Sequence, residues 1–147
     1  MRRRWIPAFF AFALVAGCYP PALRVQDPPP SETGVRVVLR GQDCAGDLAL
    51  SDGRGSRSLA LELRVENPTR EPLEFQPSRA RLSDSGVLIP PVAPREPIPV
   101  APGGAGNVVL RYLHNRECDA EFVVSLDGAI LLGGREIGLG ELRLRPY

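Results

Sequence analysis

Hydrophobic side chains recur at every second position through most of the chain after Gly34. In SLALELRVEN, Leu59, Leu61, Leu63 and Val65 fall on one side and Ala60, Glu62, Arg64 and Glu66 on the other. Successive side chains of a strand point to opposite faces, so this alternation predicts a half-buried β-strand. NVVLRYL repeats it with Val108, Leu110 and Tyr112, EFVVSL with Phe122, Val124 and Leu126, and ELRLRP with Leu142 and Leu144. VRVVLR (35–40) and PLEF (72–75) predict two further strands. A surface helix needs apolar residues three and four apart between caps, and no stretch shows that stripe. The segment PPVAPREPIPVAPGGAG (90–106) excludes a helix, because each internal proline removes a hydrogen bond and clashes with the preceding turn.

Short strands with one apolar face, separated by turn signals, predict an all-β fold: an immunoglobulin-like antiparallel β-sandwich of two packed sheets. Asp52-Gly53, Asp127-Gly128 and Gly133-Gly134 are hairpin dipeptides, since tight hairpin turns favour residues that tolerate positive φ. Two arrangements stay open near the C-terminus. Asp127-Gly128 and Gly133-Gly134 both turn and make a meander, or one is a bulge in a longer hairpin.

The N-terminal residues break this pattern. Arg2, Arg3 and Arg4 precede an apolar run from Trp5 to Ala16, far short of the roughly 20 residues that span a bilayer. A basic start, a short apolar run and small residues describe an export signal. Val15-Ala16-Gly17-Cys18 resembles the lipobox of bacterial lipoprotein signals. That resemblance implies that the chain is cut before Cys18 and that its thiol carries diacylglycerol, anchoring the protein to the membrane of the cell envelope. In that family an Asp after the cysteine often marks inner-membrane retention. Tyr19 stands there instead, which implies the outer membrane, facing the periplasm or the cell surface. Residues 18–34 are dense in proline, which favours extended polyproline geometry. At about 3.1 Å per residue they predict a semi-rigid tether of up to roughly 50 Å without a packed element. The expected organisation is therefore a signal peptide over 1–17, the lipidated cysteine and linker over 18–34, and one sandwich domain over 35–147.

Composition narrows the functional classes. The 18 basic residues are all arginine, against 17 acidic ones, and they are interspersed. Removing the signal takes three arginines with it, so the remainder is close to neutral and offers no electrostatic footprint for nucleic acid. Besides Cys18 there are two cysteines, Cys44 and Cys118. In an exported chain an even pair predicts a disulfide, with free thiols as the alternative. Both lie near expected strand ends, although an antiparallel order could equally set those ends at opposite poles. With one histidine in the chain, a metal centre lacks ligands.

A second resemblance covers about residues 59–113. Leu61-x-Leu63-x-Val65-x-Asn67, Pro72-Leu73-x-Phe75-x-Pro77-Ser78, Leu82-x-Asp84-x-Gly86 and Pro102-Gly103 before Val109-Leu110-x-Tyr112 look like telokin-like immunoglobulin-fold domains of bacterial lipoproteins. The related intracellular proteinase-inhibitor family has a similar segment. The resemblance implies a sandwich without a shared catalytic site.

Catalytic signatures are missing from the sequence. His114 is expected at a strand end, on the surface or in a loop, without a companion motif. Ser56, Ser58 and Ser125 lack a nucleophile context. His114 and Cys118 are four apart ahead of a strand, where that spacing does not juxtapose side chains. Glu117, Asp119 and Glu121 read as a solvated loop rather than a calcium site. GGREIGLG lacks the strand–helix setting of a phosphate loop, and Asn67 most simply ends a strand, with Pro68 disqualifying it as a glycan acceptor. The expectation is an anchored, non-catalytic interaction or structural module without cofactor or metal. Its partner would be a protein or an envelope polymer. The alternatives are a protease-inhibitor-like domain presenting the loop 90–106, or an accessory subunit of an envelope assembly.

Overall fold

The alternation at residues 57–66 makes the central strand of the molecule. In a computed structural model of the chain, residues 23–45 and 57–146 are described. The strands, in chain order, are β1 (Leu23–Gln26), β2 (Arg36–Ala45), β3 (Arg57–Glu66), β4 (Leu73–Phe75), β5 (Arg81–Asp84), β6 (Val87–Ile89), β7 (Ile98–Val100), β8 (Ala105–His114), β9 (Phe122–Ser125), β10 (Ile130–Leu132), β11 (Arg135–Ile137) and β12 (Glu141–Pro146). One 3₁₀ turn, Pro77–Arg79, lies between β4 and β5, and the described residues include no α-helix. All pairings are antiparallel. They form a three-stranded sheet ordered β2-β3-β8, a five-stranded sheet ordered β1-β12-β9-β5-β6, and a four-stranded sheet ordered β11-β10-β4-β7. The expected all-β sandwich is the observed fold.

One apolar cluster joins the sheets. Leu59, Leu61, Leu63 and Val65 of β3 are buried, as are Val108, Leu110 and Tyr112 of β8 beside them. The five-stranded sheet contributes Leu82, Phe122, Val124, Leu142 and Leu144. Each fully buried side chain of this size contributes about 1.5–3 kcal/mol relative to exposure, which makes the inner faces the main source of stability. Tyr112 brings a hydroxyl into this core. It donates to the Ala80 carbonyl at 2.7 Å, tying β8 to the start of β5 in the other sheet. Burial pushes its phenol far above the ordinary range, so it stays protonated.

The short strands carry the chain between the larger sheets. β4 follows the end of β3 and leads through the 3₁₀ turn into β5, while β10 follows β9 and pairs with β4. Both C-terminal turn signals therefore turn, but they do not build a meander. Asp127-Gly128 moves the chain from the five-stranded to the four-stranded sheet, and Gly133-Gly134 closes the β10–β11 hairpin. Asp52-Gly53 lies outside the described residues.

The proline-rich stretch is corrected in part. Leu23–Gln26, within the expected tether, is an edge strand paired with β12 from Leu23↔Pro146 to Gln26↔Arg143. Prolines flank this strand without occupying it, so its ladder hydrogen bonds survive. Beyond it Pro28 is buried, the Asp27 carboxylate accepts from the Leu39 N–H at 3.0 Å, and Gly34 N–H bonds to the Ser31 carbonyl at 2.9 Å. Among the described residues, sheet structure is present from Leu23, ahead of the expected boundary at residue 35. Residues 1–17 and Cys18 lie outside the described residues.

Candidate functional site

β2 and β8 flank β3 and are both antiparallel to it, so they run parallel to each other and end at the same pole. β2 extends past Gly41 through a bulge and carries Cys44 near its end, inside the strand rather than after it. Cys118 follows the end of β8 by a few residues. The two cysteines are bonded, with Cα atoms 5.7 Å apart. Strand direction thus settles the question the sequence left open: the two strand ends share a pole.

Ion pairs fix the loop between β8 and β9. Arg57 meets Glu117 at 2.9 Å, Arg145 meets Glu121 at 2.9 Å, and Arg143 reaches the same carboxylate at 3.4 Å. The Asn115 N–H donates to Asp84 at 3.2 Å. Glu117 is exposed, as expected of a solvated loop, and pairs with Arg57 of β3, while the half-buried Glu121 pairs with two arginines of β12. Exposed pairs contribute about 0–1 kcal/mol each, so they orient the loop more than they stabilise it.

His114 departs furthest from expectation. It is fully buried, where a surface or loop position was expected. The signal was present in the sequence: Val108, Leu110, Tyr112 and His114 continue one stride of two, so the imidazole shares the inner face of the core residues. Its ring stands edge-on to Phe122 with centroids 5.0 Å apart. Nδ1 accepts the Arg116 backbone N–H at 3.2 Å, and Nε2 lies 3.8 Å from the Cys44 sulfur. His114 and Cys118 do not meet through their spacing, as expected; the disulfide instead brings Cys44 to the ring. Burial lowers the imidazole pKa below its ordinary value, partly opposed by Asp84 and reinforced by Arg57. Both ring nitrogens are engaged, which leaves neither aimed at a serine. Ser125 sits half-buried on β9, Ser58 on β3, and Ser56 outside the described residues.

At the opposite pole Asn67 ends β3, as its sequence suggested, and does more than that. It is fully buried. Its Nδ2 donates to the Glu71 carbonyl at 2.8 Å and faces those of Val100 and Ala101 at 3.4 Å. Its Oδ1 accepts from the Thr69 hydroxyl at 2.7 Å and backbone N–H at 3.1 Å. One side chain thus holds loops 67–71 and 100–104 in a single arrangement. GGREIGLG forms the β10–β11 turn, strand β11 and the short loop into β12. Among the described residues, no three His, Cys, Asp or Glu side chains gather as a metal site.

Comparison of the chain with family models, characterised proteins and solved structures returned no match. The reading of this protein therefore rests on its own residues. Two poles stand out: one closed by the disulfide and lined by His114, the other bearing loops held by a buried asparagine.

Proposed function

We propose that the protein is a bacterial envelope lipoprotein, anchored through diacylglycerol on Cys18, whose telokin-like, immunoglobulin-like sandwich binds a protein or envelope polymer without catalysis. Val15-Ala16-Gly17-Cys18 behind a basic start and a short apolar run carries this reading, and the position of β1 gives the anchor an orientation. Cys18 precedes Leu23 by five residues, a reach of at most about 18 Å for an extended chain. β1 begins beside the end of β12 and the start of β9, at the disulfide pole. An anchor at Cys18 would hold that pole close to the bilayer. The tether in this reading is short, well under the roughly 50 Å expected from polyproline geometry over the whole linker.

Two further features support this orientation. Val87, an exposed apolar residue of the β5–β6 hairpin, pairs with Asp84, which accepts the Asn115 N–H at the same pole, where a lipid surface would cover it. The opposite pole would face outward with exposed Pro68, Arg70 and Pro102 on loops held by Asn67, a surface ordered in advance of binding. The inhibitor-like reading has less support. It needs a loop free to enter a protease cleft, whereas Val92 and Ala93 hydrogen-bond to Arg111 and Ile98–Val100 pairs with β4.

The test is membrane fractionation with metabolic fatty-acid labelling of the full chain. The wild type should sediment with membranes and carry label. Cys18→Ser should lose the label and appear soluble or as an uncut precursor. A labelled Cys18→Ser protein would contradict the reading.

A further inference from the structure

The disulfide is not symmetric in its surroundings. Cys44 sits within β2, with Leu59 of β3 opposite it, and packs against the core. Cys118 belongs to the loop between β8 and β9, and both cysteines are partly exposed. His114 contacts one of the two sulfurs. Because Nδ1 accepts the Arg116 N–H, the proton of the neutral imidazole resides on Nε2. Nε2 is the nitrogen 3.8 Å from the Cys44 sulfur, so an N–H donor buried in the core is aimed at that sulfur.

We propose that Cys44–Cys118 is a directional thiol-exchange site, in which an incoming thiolate attacks the Cys118 sulfur and expels Cys44 as the leaving thiolate toward His114. This inference goes beyond the anchored-module reading and does not depend on it. The substrate class is a thiol, either a small one such as glutathione or a cysteine of a partner protein. The attacking thiol releases its proton to solvent. Its sulfur then bonds to Cys118 Sγ, the Cys44–Cys118 bond breaks, and the electron pair departs on Cys44 Sγ. Cys44 is thereby reduced and the incoming thiol is oxidised to a mixed disulfide. The Nε2–H hydrogen-bonds the departing thiolate without giving up its proton, and the proton that finally neutralises Cys44 comes from solvent.

The hydrogen bond from His114 selects this direction. Exchange is faster when the leaving thiolate is the better stabilised one, and a hydrogen bond to a charged sulfur provides that stabilisation. Both cysteines are partly exposed, so access admits attack at Cys118 and the hydrogen bond to Cys44 decides the direction. Other charged groups around the ring act in both senses. Arg57 and Arg116 favour negative charge nearby, while Asp84 opposes it, with one of its oxygens occupied by the Asn115 N–H. His114 is a positioning residue in this scheme, since it touches the leaving sulfur and not the incoming thiol.

The experiment exposes the folded, oxidised protein to glutathione, quenches with acid, alkylates free thiols and maps the peptides. Early mixed disulfides should carry glutathione on Cys118 and the alkyl group on Cys44, in roughly tenfold excess over the reverse arrangement. Glutathione mainly on Cys44, or divided equally, would overturn the proposal in the wild-type protein alone. In His114→Phe the exchange rate per thiolate should fall on the order of tenfold, because the donor to the leaving sulfur is gone. A rate that is unchanged or raised would remove His114 from the proposal.

Discussion

His114 shows how much one buried polar side chain can decide. Its imidazole is held neutral among core residues, and burial lowers its pKa, with Asp84 opposing the effect and Arg57 and Arg116 adding to it. In the unfolded chain the ring titrates near its ordinary value of about 6.5. The unfolded state therefore binds a proton at a higher pH than the folded state does. His114's contribution to stability is fully present above about pH 6.5 and is lost as pH falls from there through the lower folded value, with a slope of at most about 1.4 kcal/mol per pH unit for one proton. Urea unfolding of the wild type between pH 7 and pH 5 should show this loss, and His114→Phe should show a shallower one. Parallel curves for the two proteins would mean that the ring is solvated in the folded state. The position was readable from the stride of two that ends at His114. Its environment was not, because the contact with Cys44 depends on a strand seventy residues away in sequence.

Among the elements, length governs what the sequence reveals. β3, β8, β9 and β12 were readable because four or more residues alternate strictly and each strand shows one buried face. β6, β7, β10 and β11 have three residues each, too few to display a period. β4, equally short, was readable only from Leu73 and Phe75 either side of Glu74, and β1 is hidden by the prolines on either side of it. Their pairing follows from turn chemistry and from the neighbours that receive them. The Gly133-Gly134 turn makes this testable. Both residues have positive φ, 56° and 81°, the geometry of a two-residue hairpin turn of the kind that favours glycine. A Cβ at Gly134 would meet no atom within 4 Å, so a substitution there is opposed by backbone conformation and not by crowding. Gly134→Val should cost about 1–2 kcal/mol by chemical denaturation. Gly138 is equally open and is not among the positive-φ glycines, so Gly138→Val should cost much less. Equal losses at the two positions would contradict the turn assignment.

Among the described residues, the disulfide and the start of β1 converge on one pole. The bond closes a sequence separation of 74 residues, and in the chain-entropy account a loop of that size stabilises by roughly 4 kcal/mol. Reduction should lower the unfolding free energy extrapolated from urea by an amount of that order while β-sheet circular dichroism persists below the transition, since the apolar cluster remains intact. A reduced protein as stable as the oxidised one would show that the unfolded chain is already constrained there. The anchored reading gives this pole a direction. Hydroxyl-radical footprinting of the full chain in its native membranes, compared with Cys18→Ser released from them, measures that direction. Oxidation of Val87 should fall in the anchored protein, while Pro68, Arg70 and Pro102 at the far pole should be oxidised equally in both. Protection of the 67–71 loop instead, or no change at Val87, would contradict an anchor at the disulfide pole.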